Sequence, residues 1–181
     1  MIVGMSIFRL FRMNVPEARE RSTETETVRK ITEALDRMEP QRAKFLAAFA
    51  YLLGRVARAD LKITPEEIHV MERIVMEHGG LPEEQAVLVI QIAKTQNVLF
   101  GGTENYLVTR EFREMAGHEE KMALLDCLFA VASADKSIST IEDNEISQIA
   151  DELRIEHRDF ISVRSRYRDS LAVLKNSQEP Q

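Results

Sequence analysis

A chain of 181 residues with 24 basic and 30 acidic side chains, net −6, carries the wrong sign for a non-specific nucleic-acid binder. Its 44% hydrophobic content can build one domain with a core, while seven Gly and five Pro are too few to suit an all-β fold. The single cysteine excludes an internal disulfide, and no apolar run is long enough to cross a bilayer.

Residues 1–25 read as a segment apart from the rest. Ile7, Phe8, Leu10 and Phe11 form one stripe of a short basic helix, with Arg9 and Arg12 opposite. That stripe fits weak contact with an anionic membrane surface, or packing of its two Phe residues onto the body of the protein. It lacks an uninterrupted apolar core and a small-residue cleavage site, so it does not read as a secretory signal. Asn14 to Thr27 is polar, contains Pro16 and reads as a loop.

Helical spacing then dominates. The pattern predicts a helix over about Glu26 to Met38 with Val28, Ile31 and Leu35 on one face, and another from Gln41 to Ala59. The second carries Phe45, Ala48, Phe49, Leu52, Leu53 and Val56, a wide face that requires burial. Thr64 and Pro65 open a helix with Glu67 placed for a capping box, and Gly79-Gly80 closes it. Pro82 to about Asn97 and Glu104 to Met115 follow as helices, separated by Gly101-Gly102. A long apolar helix from about Glu119 to Ala134 contains Cys127, which reads as a buried small hydrophobe. Ser139 and Glu142 supply a second capping box. The last helix spans about Arg158 to Leu174, with Phe160, Val163, Tyr167, Leu171 and Leu174 in register and Arg164, Arg166 and Arg168 on a polar side that is solvated or meets an acidic partner. Residues 176–181 read as a frayed tail.

Part of this pattern is written twice. The step from Asp60 to Asp135, 75 residues, also carries Leu53 onto Leu128, Val56 onto Val131, Ile63 onto Ile138, Glu67 onto Glu142 and Ile74 onto Ile149. Each copy is an apolar helix ending in Ala-x-Ala-Asp, a short turn, and a new helix opening with acid. A duplicated helix pair implies a duplicated structural unit. The expected fold is therefore all-α: a single compact helical domain over residues 26–175, of seven to eight helices, built from two similar halves.

The duplicated acids admit two roles. Glu67 and Glu142 sit where a capping glutamate belongs. Asp60 and Asp135 stand at helix C-termini, where a carboxylate opposes the helix dipole, so two in matching places suggest that the carboxylate is wanted. Each can close an Asx-turn. Alternatively, Asp60 with Glu67, and Asp135 with Glu142, offer the hard oxygen ligands that Ca²⁺ or Mg²⁺ prefers, with Glu66, Asp143 and Glu145 close by. The spacing is not that of an EF-hand, which needs oxygens at alternate positions and a mid-loop Gly. His69, His78, His118 and His157 are scattered and form no zinc pattern. No phosphate loop, His-Glu-x-x-His or nucleophile elbow is present, so the expectation is a non-enzymatic protein that requires no cofactor.

The motif Val-Ala-x-Ala-Asp-x-x-Ile-x-x-x-Glu, at Val56–Glu67 and again at Val131–Glu142, resembles the signature of TerB-like tellurite-resistance proteins. A related domain precedes the J-domain in some membrane-anchored co-chaperones. The resemblance covers about Gln41 to Leu174. It implies a two-part helical domain, a cytoplasmic bacterial protein tied to stress response or to the inner face of the membrane, and metal binding at Asp60, Glu67, Asp135 and Glu142. The chain departs from the family pattern directly after each Asp: Leu61 and Lys136 stand where Gly is usual, and Gly would permit a left-handed turn. Two functions follow as expectations. One is divalent-cation binding or sensing with a role in tellurite or other stress; the other is a protein-interaction module at the inner membrane surface, without metal.

Overall fold

The structure, a computed structural model, describes residues 22–57, 65–100 and 105–172. Eight α-helices account for most of them: α1 Ser22–Asp36, α2 Pro40–Ala57, α3 Pro65–Glu77, α4 Glu83–Phe100, α5 Asn105–Met115, α6 His118–Ala132, α7 Thr140–Glu152 and α8 His157–Arg166. A 3-10 turn, Arg168–Ser170, follows α8. The described residues contain no strand, only a single bridge between Ile138 and Leu171. None of their helices is long and apolar enough to cross a membrane.

The hydrophobic period accounts for this arrangement. α2 is apolar almost all the way round, and twelve of its residues from Ala43 to Val56 are buried. A helix of that kind has no solvent face to offer and becomes the centre of the fold. It packs against α1, α4, α5, α6 and α7. Phe45, Phe49 and Phe112 meet on it, with ring centroids 5.1–6.3 Å apart. α6 is the second centre, buried from Leu124 to Ala132 apart from Asp126, and packs against α2, α3, α7 and α8. Cys127 is fully buried there, and burial pushes its thiol pKa up, as the small-hydrophobe reading expects.

A helix end repeats at the sequence step. α3 ends at Glu77 and α7 at Glu152, 75 residues on. The register slips by one residue at the turn that follows. After α3, Gly80 takes the left-handed conformation at φ 65°, and the neighbouring Gly79 packs so tightly that a Cβ would lie 2.5 Å from the Val75 carbonyl oxygen. After α7 the left-handed residue is Arg154, at φ 57°. Its N–H donates to the Asp151 carbonyl, and the Ile155 N–H reaches back to Ala150 at 2.9 Å, a Schellman closure.

Three boundaries differ from the sequence expectation. α1 already includes Ser22, inside the stretch read as loop, because Ile31 and Leu35 are buried and Arg29 bonds both Glu26 and Glu33 along the helix. α4 runs past Asn97 to Phe100. α8 stops at Arg166 instead of continuing to Leu174.

Arg154 is an L-residue held in a conformation that suits glycine. Arg154→Gly should raise stability by about 1 kcal/mol and the melting temperature by about 2–4 °C. Thermal denaturation followed by circular dichroism checks this; an unchanged or lower midpoint would contradict the reading of the turn.

Candidate functional site

The second elbow, between α6 and α7, is built from its own acids. Ser133 N–H bonds the Phe129 carbonyl and Lys136 N–H bonds Ser133 at 2.8 Å, closing the end of α6. Lys136 adopts φ 68°, so the left-handed turn that glycine would give is kept with lysine in its place. Asp135 is exposed, and its Oδ1 accepts the Ser137 N–H at 2.9 Å, an Asx-turn. Glu142 is buried, only 6% exposed, and its Oε2 accepts from both the Ser139 N–H at 2.8 Å and the Ser139 hydroxyl at 2.7 Å. The Ser139 oxygen in turn accepts the Glu142 N–H, which completes the capping box read from the sequence. The turn carbonyl of Ile138 accepts the Ala172 N–H.

Of the three acids standing by as further ligands, Asp143 and Glu145 face guanidinium groups, and the side chain of Glu66 lies outside the described residues. Asp143 forms a bidentate pair with Arg164 at 2.8 and 2.6 Å. Arg164 therefore does not lie on a solvated face, and its pKa is raised, first by the hydrogen bond it donates to Asp143. Glu145 binds Arg55 at 2.6 Å. Asp60 lies outside the described residues, as do Ile7, Phe8, Leu10 and Phe11. Glu67 falls within α3, but its side chain also lies outside them. Among the described residues, no group of three or more His, Cys, Asp or Glu side chains comes close enough together to hold a metal ion.

Arg55 was not singled out by the sequence pattern, though a cation among the apolar residues at the end of α2 is a signal in itself. Its side chain is 5% exposed. Nε donates to Glu145 on α7, while Nη1 donates to Glu152, also on α7, at 2.7 Å and to Thr109 on α5 at 3.2 Å. Gln148 donates to Glu152 as well. Burial would lower the Arg55 pKa, but the hydrogen bonds to Glu152 and Glu145 outweigh it and raise it. For Glu152, burial pushes up, and the hydrogen bonds from Arg55 and Gln148 overcome this and hold it below its usual range. This seam joins the first half, through α2, to the second, through α7.

A second cross-half cluster lies at the end of α3. His78 Nδ1 meets Asp126 of α6 at 2.7 Å, and the Tyr167 hydroxyl donates to the other Asp126 oxygen at 3.0 Å. Arg166 adds a longer ion pair at 3.4 Å. Burial first, and then the Asp126 charge, pushes the Tyr167 pKa up. The cluster is a pinned joint; it adjoins Cys127, whose thiol pKa burial pushes up.

The sequence pattern of the family described as Tellurite resistance protein TerB matches residues 45–165, from within α2 to within α8. The chain belongs to the TerB family. No curated protein and no solved structure matched the chain. The TerB match spans both copies of the repeated motif, both elbows, the Arg55 seam and the His78–Asp126 pair.

The seam fixes a pH dependence. Folded Glu152 binds its proton less tightly than the unfolded chain does, so its contribution is complete above about pH 4.3 and is lost as pH falls through the depressed folded value. Arg55→Met should cost about 2–3 kcal/mol at pH 7, because it leaves two carboxylates desolvated without a cation. That deficit should begin to shrink above about pH 4.3, because burial without the cation raises the carboxylates of the variant, and should go on shrinking at lower pH. Urea denaturation at pH 7, 5 and 3.5 reads both effects; a deficit that stays constant across this range contradicts the assignment.

Proposed function

We propose that this TerB domain is a non-enzymatic helical module that acts in a tellurite or other stress response by holding partner proteins, and that it needs no resident cation. The observation behind this reading is the state of the second elbow. Asp135 closes the turn, Glu142 caps α7, and Asp143 and Glu145 neutralise buried or half-buried arginines. Each acid there has a partner within the chain, which is how acids behave when their work is structural. The net charge of −6 suits basic partner segments and disfavours nucleic acid. A cytoplasmic place fits the family, and Ile7, Phe8, Leu10 and Phe11 would supply weak contact with the inner membrane surface.

A second reading keeps the elbows as divalent-cation sites, with Asp60 and Glu67 at one and Asp135 and Glu142 at the other. It draws on Asp135, whose exposed carboxylate spends only one oxygen on the turn. Ca²⁺ or Mg²⁺ would then be sensed by a shift in stability.

One titration separates the two. Under the first reading, millimolar Ca²⁺ or Mg²⁺ leaves the melting temperature unchanged in the wild type and in Asp60→Asn/Asp135→Asn alike. A rise in the wild type that disappears in the double variant overturns the first reading and establishes the second; a site filled at 100 times its Kd would add about 2.7 kcal/mol.

A further inference from the structure

The two halves end differently. α4, the third helix of the first half, runs on to Phe100; α8, its counterpart, stops at Arg166 after 10 residues. No Pro or Gly explains the stop: Arg164 to Leu174 contains neither, and Phe160, Val163, Tyr167, Leu171 and Leu174 keep helical spacing throughout. The chain leaves the helix at Tyr167, makes the 3-10 turn Arg168–Ser170, and reaches Leu171 in extended conformation at φ −70° and ψ 115°.

What holds it there is tertiary. Leu171 lies parallel to Ile138 of the second elbow. The Ile138 N–H donates to the Ser170 carbonyl at 2.7 Å, and the Ala172 N–H donates to the Ile138 carbonyl at 3.0 Å. Both Ile138 and Leu171 are 1% exposed. The turn is pinned upstream by Tyr167, whose hydroxyl bonds Asp126 and whose ring stacks on Phe129, with centroids 5.6 Å apart and planes at 15°. The pin reaches the first half through His78 on the same carboxylate.

The apolar period of the segment runs on at helical spacing, while Asp169 and Ser170 are poor helix formers and contacts elsewhere hold the backbone out of helix. Conflicts of that kind mark strained or functional sites. We propose that Arg168–Leu171 is a two-state strap on the second elbow. Docked, it seals the elbow as seen here. Released, it joins α8 as a continuous helix, keeping Tyr167 and Leu171 in register with Phe160 and Val163. Release frees the Ile138 N–H and carbonyl and empties the seat of Leu171, which opens the elbow's backbone edge.

Amide hydrogen exchange by NMR on the full chain tests this. Asp169 and Ser170 are poor helix formers, and the strap is held through the Ser170 carbonyl, which substitution at either side chain leaves in place. In Asp169→Ala/Ser170→Ala, exchange at the Ile138 amide should quicken about fivefold. The Cα shifts of residues 167–171 should move toward helical values, and the core amides of Leu124 and Leu128 should keep their rates. Tyr167→Phe, which removes the hydroxyl pin without favouring helix, should also quicken Ile138. A rate at Ile138 that is unchanged in both variants, or that rises in step with Leu124 and Leu128, overturns the proposal.

Discussion

One cation governs the packing. α2 is the most buried helix of the fold, and Arg55 is the one charged side chain placed deep within it. A buried guanidinium must find carboxylates or unfold its surroundings. It finds Glu145 and Glu152, both on α7, so the central helix of the first half can settle only where the second helix of the second half supplies its counter-charge. Thr109 of α5 shares the same head group. The apolar contacts between the halves are non-directional, while the Arg55 seam is directional and fixes the register between them.

The seam also separates the copies. Glu152 and Glu77 occupy the same place in the repeat, yet Glu152 pairs with Arg55 while Glu77 is exposed on the surface. Arg55 itself falls on Ala130 in the second copy. The duplicated unit thus keeps the end of its second helix while one member of each matching pair has taken a new task. The left-handed residues tell the same story: glycine serves after α3, arginine after α7, and lysine within the second elbow. Each non-glycine case carries roughly a kilocalorie of backbone strain that the surrounding contacts offset.

What could be read in the sequence was what depends on near neighbours. The Ser139–Glu142 capping box, the burial of Cys127 and the apolar face of α2 all follow from residues three or four apart. The family resemblance, carried by the doubled motif, agrees with the TerB match over residues 45–165. What could not be read depends on partners far along the chain. Asp143 and Glu145 looked like spare ligands because their arginines stand 21 and 90 residues away. α8 looked longer because the Ile138 and Asp126 contacts that end it lie outside any helical window. Asp60 and the side chain of Glu67 lie outside the described residues, and the elbow chemistry rests on the second copy.

The central claim is that Arg55 and Glu152 form one energetic unit across the halves. A double-mutant cycle with Arg55→Met, Glu152→Met and the pair, measured by urea unfolding at pH 7, tests it most directly. The expected coupling is about 2 kcal/mol, with the double variant far less destabilised than the two single losses added together. A coupling near zero would mean that the halves are registered by apolar packing alone and would contradict the claim.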